Sequence, residues 1–185
     1  MRIVAGSVRL ATFLACAVLM LGCLAASAQE SGTGYLKVKA NPGRAGVFVD
    51  GKYVGPAANF GMARKYAVPP GEHDVVLKDP RYEDYSTKVK IEAGKTAIVS
   101  QSLQAATLAS PPFGTLRIQG SSGKFDAVYV NDKFMGHEDE FNNFAQGLLL
   151  KPGDYTLKVV SPDGKQELEQ KIKIEENKTT RVHVS

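Results

Sequence analysis

VFVDGKYVG (Val47–Gly55) decides how this chain folds. Two short β-branched and aromatic runs flank Asp50-Gly51, a dipeptide that accepts positive φ at both centres of a two-residue hairpin loop. A turn at that point pairs Val49 with Lys52, Phe48 with Tyr53 and Val47 with Val54. One face of the hairpin then carries the aromatic pair and the other the aliphatic one. Cross-strand pairs of this kind stabilise a hairpin by ~0.2–1 kcal/mol each. The stretch is explained as architecture, without a catalytic role.

The same phrase returns as VYVNDKFMG (Val128–Gly136), at an offset of 81. Its turn is Asn131-Asp132, pairing Val130 with Lys133, Tyr129 with Phe134 and Val128 with Met135. Working outward, GYLKVKA (Gly34–Ala40) matches GTLRIQG (Gly114–Gly120) at 80. PPGEHDVVL (Pro69–Leu77) matches KPGDYTLKV (Lys151–Val159) at 82, and VKIEAGKT (Val89–Thr96) matches IKIEENKT (Ile172–Thr179) at 83. Order is kept while the offset grows by single residues, as small loop insertions produce.

Within each copy apolar and polar residues alternate with period two, as in Leu36/Val38 or Tyr155/Leu157/Val159, and Pro-Gly pairs at 70–71 and 152–153 punctuate the runs. The fold predicted is all-β: two tandem small antiparallel β-sandwiches of six to seven strands each, after an N-terminal signal helix. The first spans 34–103 and the second 113–185. Residues 104–112, small and uncharged before Pro111-Pro112, read as a linker, and 29–33 as an N-terminal extension. A unit of this size buries only ~60% of its unfolded surface, so contact between the copies would add useful stability.

Residues 1–28 carry the anatomy of a secretory signal peptide: Arg2 and Arg9, the uncharged run Leu10–Leu24, then Ala26-Ser27-Ala28 before Gln29. The run is too short for a comfortable membrane span, and the expected mature chain has no transmembrane helix. MLGC (Met20–Cys23) offers a second reading, a lipoprotein anchored through Cys23. Both cysteines, Cys16 and Cys23, precede the cut after Ala28, so the mature chain forms no disulfide. Because Arg2 and Arg9 leave with the leader, the net charge of +4 falls to +2. With no polybasic run remaining, nucleic acid is not an expected partner.

These residues, in this order, resemble the PEGA domain family. Gly34, Leu36, Val38, Pro42, Ala45, Val47, Val49, Asp50, Gly51, Gly55, Gly71 and His73 carry the pattern in the first copy. Gly114, Leu116, Ile118, Ala127, Val128, Val130, Gly136 and Gly153 carry it in the second, and GHEDEF (Gly136–Phe141) is similar to a segment that often follows the hairpin. The second copy departs from the pattern with Asn131-Asp132 for Asp-Gly and Tyr155 for the histidine, and it lacks the proline before its hairpin. The resemblance implies an extracytoplasmic β-rich module of the envelope or cell surface and supplies no catalytic residues.

Other signals for chemistry are weak. AGKT (Ala93–Thr96) ends like a phosphate-binding loop, but Val89 stands where its first glycine belongs. His73, His137 and His183 occupy unrelated positions of the repeat, so neither a metal nor any other cofactor is expected. HEDE (His137–Glu140) lacks the ligand spacing of a calcium loop. No G-x-S-x-G elbow is present. The expected function is therefore a non-catalytic structural or protein-binding module of the cell envelope, exported to the periplasm or medium. The alternative is a glycan- or peptidoglycan-binding module using the loop aromatics Phe60, Tyr82, Tyr85 and Phe141, and a small hydrolase is a distant third. The expected partner is an envelope protein or a cell-wall glycan.

Overall fold

A computed structural model describes residues 32–61, 64–107, 109–120, 123, 125–142 and 147–184. The leader, Cys23 and most of the 29–33 extension lie outside the described residues. Within them the first unit contains β1 (Gly34–Asn41), β2 (Gly46–Val49), β3 (Lys52–Pro56), β4 (Tyr66–Val68), β5 (Gly71–Lys78), β6 (Tyr85–Ile91) and β7 (Thr96–Ser102). The second contains β8 (Gly114–Gly120), β9 (Ala127–Val130), β10 (Lys133–His137), β11 (Leu148–Leu150), β12 (Gly153–Val160), β13 (Gln166–Ile174) and β14 (Thr179–Val184).

Each unit is a sandwich of a four-stranded and a three-stranded sheet. The orders are β3-β2-β5-β6 and β4-β1-β7 in the first, repeated as β10-β9-β12-β13 and β11-β8-β14 in the second. The inward positions of the alternating runs close each sandwich: Leu36, Val38, Val47, Val75 and Leu77 in one, and Leu116, Ile118, Val128, Leu157 and Val159 in the other. One pairing in each unit differs from the expected antiparallel pattern. β7 runs parallel to β1, and β14 parallel to β8. Alternation reports which face a residue occupies but not the direction of its strand. Here each last strand crosses from the opposite sheet instead of turning back in a hairpin.

The two hairpin turns have positive φ at both centres: 50° and 78° at Asp50 and Gly51, 48° and 60° at Asn131 and Asp132. The first two cross-strand pairs of each hairpin are Val49–Lys52 with Phe48–Tyr53, and Val130–Lys133 with Tyr129–Phe134. The third is displaced by one residue. Val47 pairs with Gly55, not Val54, and Val128 with Gly136, not Met135, because a β-bulge enters each returning strand. Gly55 and Gly136 hold φ of 128° and 126°, a region that favours glycine. At Gly136 a Cβ would also stand only 3.0 Å from the Phe141 ring. After each bulge the chain makes one short turn, a 3-10 turn over Ala57–Phe60 and an α-helical turn over Glu138–Phe141. These turns drive Phe60 and Phe141 into the two cores.

The beginning of the segment read as a linker is fastened to the first unit. Ala105 forms a β-bridge with Tyr82, the Glu83 N–H donates to the Gln104 carbonyl (2.8 Å), and the Ala106 N–H donates to the Arg81 carbonyl (2.9 Å).

Candidate functional site

The four aromatics singled out for ligand contact do not form a platform. Phe60 and Phe141 are 9% and 7% exposed and belong to separate cores. Tyr82 and Tyr85 are half-buried against the first core. A residue following a β-bulge is aimed inward by the bend, and that bend is invisible to a reading based on alternation alone.

The hairpin aromatics gather where the two units touch. Phe48, Tyr53 and Phe134 are buried in one cluster with Ala127, and Val76 and Tyr129 pack at its margin. Phe134 meets Phe48 edge-on, with centroids 5.5 Å apart and planes at 87°, and lies 5.8 Å from Tyr53. Such contacts contribute ~0.5–1.5 kcal/mol each beyond the area they bury. Phe134 can sit there because Gly46 has no side chain: a Cβ would approach its ring to 2.6 Å. The Tyr53 hydroxyl donates to the Phe125 carbonyl across the seam at 2.8 Å, and burial pushes its pKa up.

A polar network borders these rings. Arg44, in the loop before β2, donates to Asp139, and its Nε lies 3.3 Å from Glu140 Oε1. The same Glu140 oxygen lies 2.8 Å from His137 Nδ1 and accepts from the His137 N–H. Burial opposes the charge on Glu140, but the hydrogen bond from His137 and the Arg44 guanidinium outweigh it and hold the carboxyl below its ordinary range. Arg81 bridges Asp79 at 2.8 Å and approaches Glu140 at 4.0 Å. Glu138 is 1% exposed, with Oε1 lacking a partner among the described residues. Burial, then the nearby Asp126 and Asp139, push its pKa up to about 7. Apart from the acidic run after Gly136, no local pattern marks this assembly, since Arg44 and Glu140 are far apart along the chain.

The turns are secured alike by different residues. In the first unit Asp50 Oδ1 accepts the Asp74 N–H (3.0 Å), and Asp50 Oδ2 lies 2.7 Å from His73 Nδ1. His73 Nε2 reaches the Pro69 carbonyl at 2.9 Å. In the second unit Asn131 Oδ1 accepts the Thr156 N–H (2.8 Å), and the Tyr155 hydroxyl donates to the Lys151 carbonyl at 2.9 Å. Pro69 and Lys151 are equivalent positions, so histidine and tyrosine tie the same bend. His73, like Asp50, Gly51, Asn131 and Asp132, thus has a structural place in a turn.

The surface feature suited to a ligand is a groove of about 650 Å³ beside the seam. Its walls come from Arg81, the connector residues Thr107 and Ala109, and the second unit. Phe113, Met135 and Leu149 make it apolar, while Lys133 and Lys151 stand at it. Leu149 is 57% exposed, one of two large exposed hydrophobic side chains among the described residues; the other is Ile98, at 59%. Among the described residues no group of three or more His, Cys, Asp or Glu is placed to hold a metal. Nor is any of their helices long and apolar enough to cross a membrane.

Residues 33–107 match the family model of the PEGA domain. Among solved structures the chain is similar to the Bacillus anthracis TIE protein, at 18% identity and a TM-score of 0.32 over 83% of this chain. It spans about a third (33%) of the length of that protein. No curated protein matches the chain. The first unit thus matches the PEGA domain model, and the second unit, outside that match, repeats its strand order.

Proposed function

We propose that this protein is an exported, non-catalytic module of the cell envelope that holds a partner protein in the groove beside its inter-unit seam. The observation that carries this reading is the groove itself, where the exposed Leu149 stands beside the half-buried Met135 and Phe113 and two lysines. Exposed apolar side chains ringed by charge suit an extended partner segment that offers apolar and acidic residues. Residues 33–107 match the PEGA domain model, a resemblance that implies an extracytoplasmic module and so supports export, as does the leader-like segment over residues 1–28. The burial of Phe60 and Phe141 favours a protein partner over a glycan, because a sugar needs flat rings standing free in a shallow cleft.

The test is capture from envelope extract by the tagged protein, with and without digestion of the cell wall. Retention should survive wall digestion, disappear when the extract is proteolysed, and fall at least several-fold for Leu149→Asp. Retention that follows the glycan fraction and survives proteolysis overturns the reading.

A further inference from the structure

The second exposed hydrophobic residue, Ile98, sits on β7, an edge strand of the first unit. β7 bonds to β1 on one side only. The direction of its backbone groups follows from the bonds at its ends. The Tyr35 N–H donates to the Lys95 carbonyl at 2.9 Å, and the Leu103 N–H donates to the Asn41 carbonyl at 2.8 Å. Lys95 and Leu103 therefore face β1, and by strand alternation so do Ala97, Val99 and Gln101. The backbone N–H and C=O groups of Thr96, Ile98, Ser100 and Ser102 point outward, and no strand pairs with them among the described residues.

We infer that β7 is a self-association edge, pairing antiparallel with β7 of a second copy about a two-fold axis. A two-fold at Val99 sets Thr96 opposite Ser102 and Ile98 opposite Ser100 of the other copy. The outward N–H and C=O groups of these residues then face those of the other copy, and Ile98 gains its Ser100 as a neighbour on the same sheet face. Charge favours a second copy as the occupant. TAIVSQS (Thr96–Ser102) contains no ionisable residue, so two copies of it meet without repulsion.

The other edges are protected against such pairing, β3 and β10 by the bulge in each. β6 carries Lys88 and Lys90, and β13 carries Glu167, Glu169, Lys171 and Lys173. β4 and β11 are only three residues long. The sharpest contrast is β14, the counterpart of β7. The Thr115 N–H donates to the Lys178 carbonyl, so the outward residues of β14 are Thr179, Arg181 and His183. Arg181 and His183 stand where β7 has Ile98 and Ser100. Charge on an exposed edge is the usual guard against strand addition, and β7 lacks it.

Sedimentation velocity of the purified protein, expressed with its own N-terminal segment, tests this inference. A concentration-dependent monomer–dimer equilibrium is expected, and Ile98→Lys should weaken it by roughly tenfold or more while leaving the melting temperature nearly unchanged. Leu149→Asp, in the groove, should leave the dimer intact, which separates failure here from failure of the groove reading. A protein that stays monomeric at every concentration overturns the inference. So does a dimer indifferent to Ile98→Lys, or a monomer whose β7 captures a strand from a different protein.

Discussion

The two units reach one geometry with different side chains. Asp50 and Asn131 each place an oxygen on the backbone N–H that follows the tied ring, and that ring is His73 in one unit and Tyr155 in the other. What repeats is the position of an acceptor and of a bond to a carbonyl four residues back. The units diverge where they meet. Equivalent hairpin faces oppose each other, but the first supplies Gly46 and Arg44 while the second supplies Phe134, Asp139 and Glu140. Duplication thus leaves the interiors alike and spends its differences on making one half fit the other.

The largest effect should come from Phe134→Ala, which removes the ring in contact with Phe48, Tyr53 and Tyr129. Denaturant unfolding should show a loss of ~3–5 kcal/mol or a split into two transitions as the units uncouple. A single transition of unchanged midpoint would mean the seam contributes nothing to coupling. Gly46→Ala should cost ~1–3 kcal/mol by pushing on the same ring, whereas Ala at Gly51 meets no atom and strains only the turn. Asp132→Gly should stabilise by ~0.5–1 kcal/mol, since a φ of 60° suits glycine better than aspartate; an unaltered melting temperature would show that Asp132 bears no cost there.

The smallest effect concerns pH. Burial alone would lower the His73 pKa, but the hydrogen bonds to Asp50 and the Pro69 carbonyl raise it, and the bond to His73 lowers the Asp50 pKa. The histidine contribution is fully present below the ordinary imidazole range and fades as pH rises through the raised folded value. The aspartate contribution is present above the ordinary carboxylate range and fades as pH falls. The pair is strongest between the two ranges. Because Asp50 is half exposed, the change should be ~0.5 kcal/mol or less. His73→Tyr, which copies the second unit, should flatten the pH dependence of unfolding between neutral and mildly acidic conditions.

Much of the fold is legible in the chain because its informative residues act locally. Asp50-Gly51 and Asn131-Asp132 announce their turns through backbone preference, and Leu36/Val38 or Leu157/Val159 announce a buried face through period two. β4 and β11 are too short to show any period. The bulges at Gly55 and Gly136 look like ordinary hairpin ends until the strands are paired, so the inward aim of Phe60 and Phe141, offered by the sequence as loop aromatics, is not legible from alternation. The seam was harder still. An aromatic strand residue such as Phe48 has the same signature whether it faces its own core or a neighbour, and the Arg44–Glu140 contact joins distant segments with no local pattern. The groove was illegible for the same reason, because Arg81, Thr107 and Leu149 share a wall only after both units are folded.

The parallel contact of β1 with β7 also bears on mechanics. The chain enters the first unit at one end of that pair and leaves at the other, and β8 with β14 repeats the plan. A load along the polypeptide therefore acts in shear on a whole row of hydrogen bonds, which must break together instead of peeling one after another. In both units, then, a pull between the two ends meets the strand pair lengthwise rather than at one terminal bond.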